Sequence, residues 1–170
     1  AARLRYARVH LPVAPACNIQ CNFCDRRFDC ANESRPGVTS ALLSPEQASQ
    51  YVDDVVAADA SIRVVGIAGP GDPLAQPQAT LETLRRVRSR YPEMLLCVAT
   101  NGLALTENAT ALAELRVSHV TVTVCAVDPA IGESVYAWVR AGATLLRGRA
   151  AAEHLLKAQR AGISALVRAG

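Results

Sequence analysis

The chain is 170 residues long, 51% hydrophobic and 19% charged, which fits one folded domain with a substantial core and excludes a disordered chain. Its 18 basic and 15 acidic side chains leave a net charge of +3, too little to argue for a nucleic-acid partner. The opening Ala1-Ala2-Arg3-Leu4-Arg5 lacks the apolar core of a signal peptide and no apolar run reaches transmembrane length, so no membrane is expected. Six cysteines without an export signal fit a reducing cytoplasm, where thiols bind metals rather than each other.

Residues Leu4 to Leu11 alternate apolar and polar as a first strand, which Pro12 and Pro15 end. The cysteine-rich stretch that follows is read as loop, and the irregular region from Asp25 to Leu43 carries a turn at Pro36-Gly37. Arg26, Arg27 and Arg35 flank the cysteines; they either attract an anionic group or form a solvated face. Ser44-Pro45-Glu46-Gln47 starts a helix with an N-cap, a proline at the first helical position and a capping box, and it should run to about Ala58. The nearly unbroken apolar run Ile62 to Ala68 predicts a strand buried on both faces.

After it come the Gly69-Pro70-Gly71-Asp72-Pro73 loop, a helix from about Gln78 to Tyr91, a strand from Met94 to Ala99, the turn Thr100-Asn101-Gly102 and a helix from Thr106 to Leu115. His119 to Cys125 reads as a fourth strand, Ile131 to Val139 and Ala150 to Ala161 as helices, and Ile163 to Val167 as a fifth strand. Alternating strands and helices predict an α/β fold with a parallel sheet, whose chemistry should gather at the carboxyl ends of the strands. A single domain over residues 1 to 170 is expected.

Cys17, Cys21 and Cys24 are spaced C-x3-C-x2-C. Thiolates so close in sequence can be wrapped by one loop around one 4Fe-4S cubane, which leaves one iron without a protein ligand. A structural zinc site would need a fourth ligand and more often shows two distant C-x2-C pairs. A disulfide framework would need an oxidising compartment and a more cysteine-dense chain.

The spacing resembles the signature of the radical S-adenosylmethionine (SAM) enzymes. That resemblance implies a partial (β/α) barrel of six units, of which this chain offers about five strands with the sixth apparently missing. It implies that the open iron of the Cys17, Cys21 and Cys24 cluster chelates SAM and that reduction yields a 5'-deoxyadenosyl radical. Phe23, the aromatic residue before the third cysteine, would lie near the adenine. Gly69, Gly71 and Asp72 match in position a glycine-rich segment that meets the SAM amino group, although Gly-Pro pairs by themselves mark turns. Thr100 and Asn101 either lie near SAM or simply form a capped turn.

The segments APACNIQCNFCDRRFDCANESRPGV, GIAGPGDPLA, LCVATNGLAL and HVTVTVCAVDPAIG, with Tyr136 and Trp138 behind them, are similar to the radical SAM core of the NifB family of nitrogenase cofactor biosynthesis proteins. The resemblance implies fusion of two 4Fe-4S clusters around a SAM-derived carbide to give an eight-iron precursor. It carries His10, Cys30 and Cys97 over as ligands of a second, substrate 4Fe-4S cluster. The partners it implies are a cluster donor, scaffold or carrier proteins, and an electron donor such as a ferredoxin or flavodoxin. The family pattern also has a further substrate cluster, held by cysteines upstream and well downstream; here no cysteine precedes Cys17 or follows Cys125. A fragment, or a cluster brought by a partner, is therefore expected.

Two other functions stay open: a radical SAM enzyme acting on a small organic substrate, and a catalytically incomplete iron-sulfur carrier. Cys125 is expected to be a small buried residue rather than an extra thiol of the site. His119 and His154 have no metal-ligand spacing, and His154, beside Glu153 in a helix, is expected to face solvent.

Overall fold

The computed structural model describes residues 6–25 and 41–170. Four strands form a parallel sheet in the order β1-β3-β4-β5: β1 Ala7–His10, β3 Ile62–Ile67, β4 Leu95–Thr100 and β5 His119–Val122. Each strand lies beside its predecessor in the sheet, with no reversal of order. That is the winding of a barrel rather than of a doubly wound sheet with a switch point.

The helices α1 Pro45–Ala58, α2 Pro77–Arg90 and α3 Leu105–Glu114 precede β3, β4 and β5 in turn. They cover one face of the sheet, where Val9, Leu11, Val65, Ile67, Leu96 and Val98 of the strand segments pack against Val52, Leu84 and Leu112 of the helices. Side chains of the opposite parity point to the other, more open face. Along β4 the result is alternation: Leu96, Val98 and Thr100 are buried, whereas Leu95, Cys97 and Ala99 are not.

A second, antiparallel sheet of three strands, β2 Ile19–Cys21, β6 Tyr136–Ala141 and β7 Thr144–Leu146, has the order β2-β6-β7. It packs with α5 Gly148–Ala169 around a smaller core of Ile19, Cys21, Tyr136, Val139, Ala151 and Leu155. The short helix α4 Pro129–Val135 is capped by the Asp128 carboxylate, which accepts from the Ala130 N–H.

Four expectations are corrected. The parallel sheet has four strands among the described residues, because Ile163 to Val167 is helical and continues α5. Gly162 does not end the helix; it is a packing position, where a Cβ would meet Leu105 Cβ at 2.7 Å. The stretch Ile131 to Val139 is not one helix, since it turns to strand at Tyr136 to pair with β2. The cysteine stretch is not all loop, for the same reason. His154 is half-buried rather than solvent-facing.

Candidate functional site

Cys17, Cys21 and Cys24 lie on and beside β2, where pairing with β6 fixes the segment: Cys21 is in register with Tyr136, and the Asn22 N–H donates to the Val135 carbonyl at 2.9 Å. The end of the motif is closed by a turn, Cys24 N–H to Cys21 carbonyl at 3.1 Å, and Gln20 Nε2 donates to the carbonyls of both Cys21 and Cys24, at 3.0 and 2.8 Å. Cys21 is buried, Cys17 and Cys24 are half-buried, and all three pack on the smaller core. Phe23, between them, is 50% exposed.

The lead into this segment is docked on the loop after β3. The Ala14 N–H donates to the Gly69 carbonyl at 3.3 Å, the Gly71 N–H to the Ala14 carbonyl at 2.7 Å, and the Asp72 N–H to the Ala16 carbonyl at 2.8 Å. Any Cβ at position 71 would run into the Ala16 backbone, so only glycine allows this approach.

The Asp72 carboxylate turns inward, onto donors of the protein itself. It is 3% exposed and accepts from the Leu74 N–H at 2.9 Å, the Asn101 N–H at 2.6 Å and the Thr100 hydroxyl, which lies 2.9 and 3.0 Å from its two oxygens. Burial pushes its pKa above the usual carboxylate range, against the downward pull of these hydrogen bonds. The residue therefore ties the loop after β3 to the loop after β4.

Thr100 and Asn101 end β4 in a capped turn, with Gly102 at φ 83° and its N–H on Thr100 Oγ1 at 3.1 Å. The turn also serves the cysteine segment: Asn101 Nδ2 lies 2.7 Å from Asn18 Oδ1 and 3.6 Å from Cys17 Sγ.

On the open face of the parallel sheet His10 of β1, Gly66 of β3 and Cys97 of β4 are register partners in one row. The His10 ring covers the space a side chain at 66 would fill: a Cβ there would lie 3.3 Å from its Cε1. Arg8 Nη2 reaches to 3.9 Å from Cys97 Sγ. Burial pushes the Cys97 thiol pKa up, and the Arg8 guanidinium opposes that shift. Cys30, Arg26, Arg27 and Arg35, with the turn at Pro36-Gly37, lie outside the described residues.

Cys125 is exposed, not buried: β5 ends at Val122, three residues before it. Its thiol contacts the Tyr136 hydroxyl, whose pKa is raised first by burial and then by Cys125.

Several residues at this end of the fold were not legible in the sequence. Gln159 is 1% exposed, with Nε2 donating to the carbonyls of Asn101 and Thr123 at 2.8 and 3.0 Å. Its signal was a polar side chain on the helical face that also carries Ala152, Leu155 and Gly162. Gly66, alone inside an apolar strand, was the mark of a close approach. Arg8, Asn18 and Gln20 carried no local signal.

Three thiols of one pinned segment, walled by apolar side chains at the carboxyl end of a parallel sheet, suit a cubane with one iron left open. Among the described residues no three His, Cys, Asp or Glu side chains converge as a lone ion would need; thiolates on separate corners of a cubane stand further apart than ligands of one ion. Also among the described residues, no helix is long and apolar enough to cross a membrane.

Residues 11–167 match the model of the Radical SAM superfamily, and the chain belongs to that superfamily. Membership implies a 4Fe-4S cluster and SAM, and it makes the parallel sheet a partial (β/α) barrel. Within the superfamily the chain is similar to proteins named "FeMo cofactor biosynthesis protein NifB". Identity is 59% over 169 residues for that of Chlorobaculum tepidum, covering 99% of this chain and 40% of the relative. For Klebsiella pneumoniae it is 49% over 166 residues, covering 98% and 36%, and for Azotobacter vinelandii 56% over 131 residues, covering 77% and 26%. The chain thus spans well under half the length of these relatives.

Proposed function

We propose that this chain is the radical SAM core of a FeMo-cofactor biosynthesis enzyme. Cys17, Cys21 and Cys24 hold the SAM-binding cluster, with Phe23 by the adenine and the Gly69, Gly71, Thr100 and Asn101 backbones around the cofactor. When bound, the cluster and SAM supply a one-electron reductive cleavage and a methyl group. The protein's part is to wall the site with the small core and to keep the loops after β3 and β4 locked through Asp72. The substrates are two 4Fe-4S clusters, joined around a SAM-derived carbide into an eight-iron precursor.

One observation carries the substrate side: His10 and Cys97 flank Gly66 in a single row on the open face, beside the Arg8 guanidinium. Imidazole and thiolate are both suitable iron ligands. The missing side chain at Gly66 lets the His10 ring lie over the row, and the positive charge of Arg8 suits an anionic cluster. Cys30 completes the ligand set in this reading. Cluster donors, carriers that take the product, and a low-potential electron donor are the implied partners, in a reducing cytoplasm.

The test is iron and sulfide content with EPR after anaerobic reconstitution, on the parent and on a Cys30→Ala, Cys97→Ala double variant. About eight irons falling to about four is expected for two cubanes. About four in both proteins ends the second-cluster reading and leaves a radical SAM enzyme for a small organic substrate. Reductive formation of 5'-deoxyadenosine separates either enzyme from an iron-sulfur carrier.

A further inference from the structure

Asn101 is held from three directions before it meets the cysteine segment. Its backbone N–H donates to Asp72 at 2.6 Å, its backbone carbonyl accepts from Gln159 at 2.8 Å, and its side-chain Oδ1 accepts from the Leu103 N–H at 2.9 Å. The last contact settles which way the amide faces. With Oδ1 committed to Leu103, Nδ2 must point the other way, toward Asn18 Oδ1 at 2.7 Å and Cys17 Sγ at 3.6 Å. A carboxamide has two N–H donors, one for each of these acceptors. Asn101 is also only 6% exposed, so water competes little for the contact.

We propose that Asn101 is a positioning residue for the cluster on Cys17, Cys21 and Cys24: its amide donates to the Cys17 sulfur and raises the cluster's reduction potential, with Asp72 and Gln159 holding the amide in aim. The inference rests on the radical SAM reading of the three cysteines. Reduction adds negative charge to the cluster, and part of that charge resides on the ligating sulfurs. An N–H donated to one of them therefore stabilises the reduced state more than the oxidised one, and hydrogen bonds to sulfur are among the factors that set such potentials. Burial strengthens the effect by lowering the local dielectric. Because Asn18 takes the second N–H, the same side chain also fixes the residue that follows Cys17.

The experiment is an EPR-monitored redox titration of the reconstituted chain in the Cys30→Ala, Cys97→Ala background, so that a single cluster is followed. The proteins compared carry in addition Asn101→Ala, Asn101→Asp, Gln50→Ala or no further change. Asn101→Ala is expected to lower the equilibrium constant for reduction about tenfold, which is about 59 mV for a one-electron couple. Asn101→Asp should move the potential further down, since it keeps the acceptor for Leu103 and puts an anion in place of the donor. Gln50→Ala should leave the potential at the parent value, because its exposed amide serves the Asp54 carboxylate at 2.9 Å on α1 rather than a sulfur.

Parent potentials in both Asn101 variants, at four irons each, overturn the proposal. Should the alanine variant lose its iron, the aspartate variant decides by the same criterion. A parent that assembles no 4Fe-4S cluster overturns the reading of the cysteine segment and this inference with it.

Discussion

Asp72, buried, accepts from two backbone N–H groups on different loops and from one hydroxyl, and no amide can repeat that arrangement. In Asp72→Asn the side-chain NH2 has to face one of the two backbone donors, which costs roughly 1–3 kcal/mol at neutral pH. The pH dependence has a definite sign. Since burial raises the native pKa above the unfolded value, near 3.9, the native chain holds the proton more tightly between the two. That contribution is full below the unfolded pKa and is lost as pH rises through the native one. Denaturant titrations of parent and variant between pH 4 and 7 should therefore show the parent's advantage shrinking as pH rises. A difference that does not change with pH would mean that Asp72 titrates alike in both states.

At the scale of elements, α1 carries its own start signal. Ser44 Oγ accepts from the Gln47 N–H at 3.2 Å and Gln47 Oε1 accepts from the Ser44 N–H at 2.9 Å, the reciprocal box that the local sequence predicts. Ser44→Ala should cost about 1 kcal/mol, seen as a lower urea midpoint with an unchanged m-value. Adding Gln47→Ala should cost less than the sum of the two single changes, because they share the box. The helix α5 behaves differently. Its length follows from contacts with other elements, Gly162 against Leu105 and Gln159 against two loop carbonyls, so no local signal places its end. The strand β6 is likewise made by pairing with β2, and its helix-like reading at Tyr136 to Val139 yields to that partner.

At the scale of the molecule the described residues form two cores of unequal size. The larger is built from the parallel sheet and its covering helices and contains no cysteine of the motif. The smaller includes Cys21 and has Cys17 and Cys24 packed on it. Metal bound by the motif should stabilise the second more than the first, since binding free energy goes to the elements that the ligands hold in place. Stripping the iron should therefore raise amide hydrogen exchange in β2 and β6 while β3 and β4 keep their protection. Equal loss of protection in both sheets would show that the two cores unfold as one unit.

By itself the sequence determined the parallel α/β class, the start of α1, the strands β3 and β4, and the three-cysteine segment. Each of these rests on interactions within a few residues or on the burial of a continuous apolar run. Tertiary structure alone decided the strand at β2, the turn from α4 into β6, the continuation of α5 through Ile163 to Val167, the exposure of Cys125 and the inward task of Asp72. It alone also brought Asn101 to Cys17 and Gln159 to Asn101, partners 84 and 58 residues apart. Hydrogen-bond partners at such separations leave no local trace, because the same polar side chain reads equally well as a turn residue or a solvated helix position until the chain has folded around it.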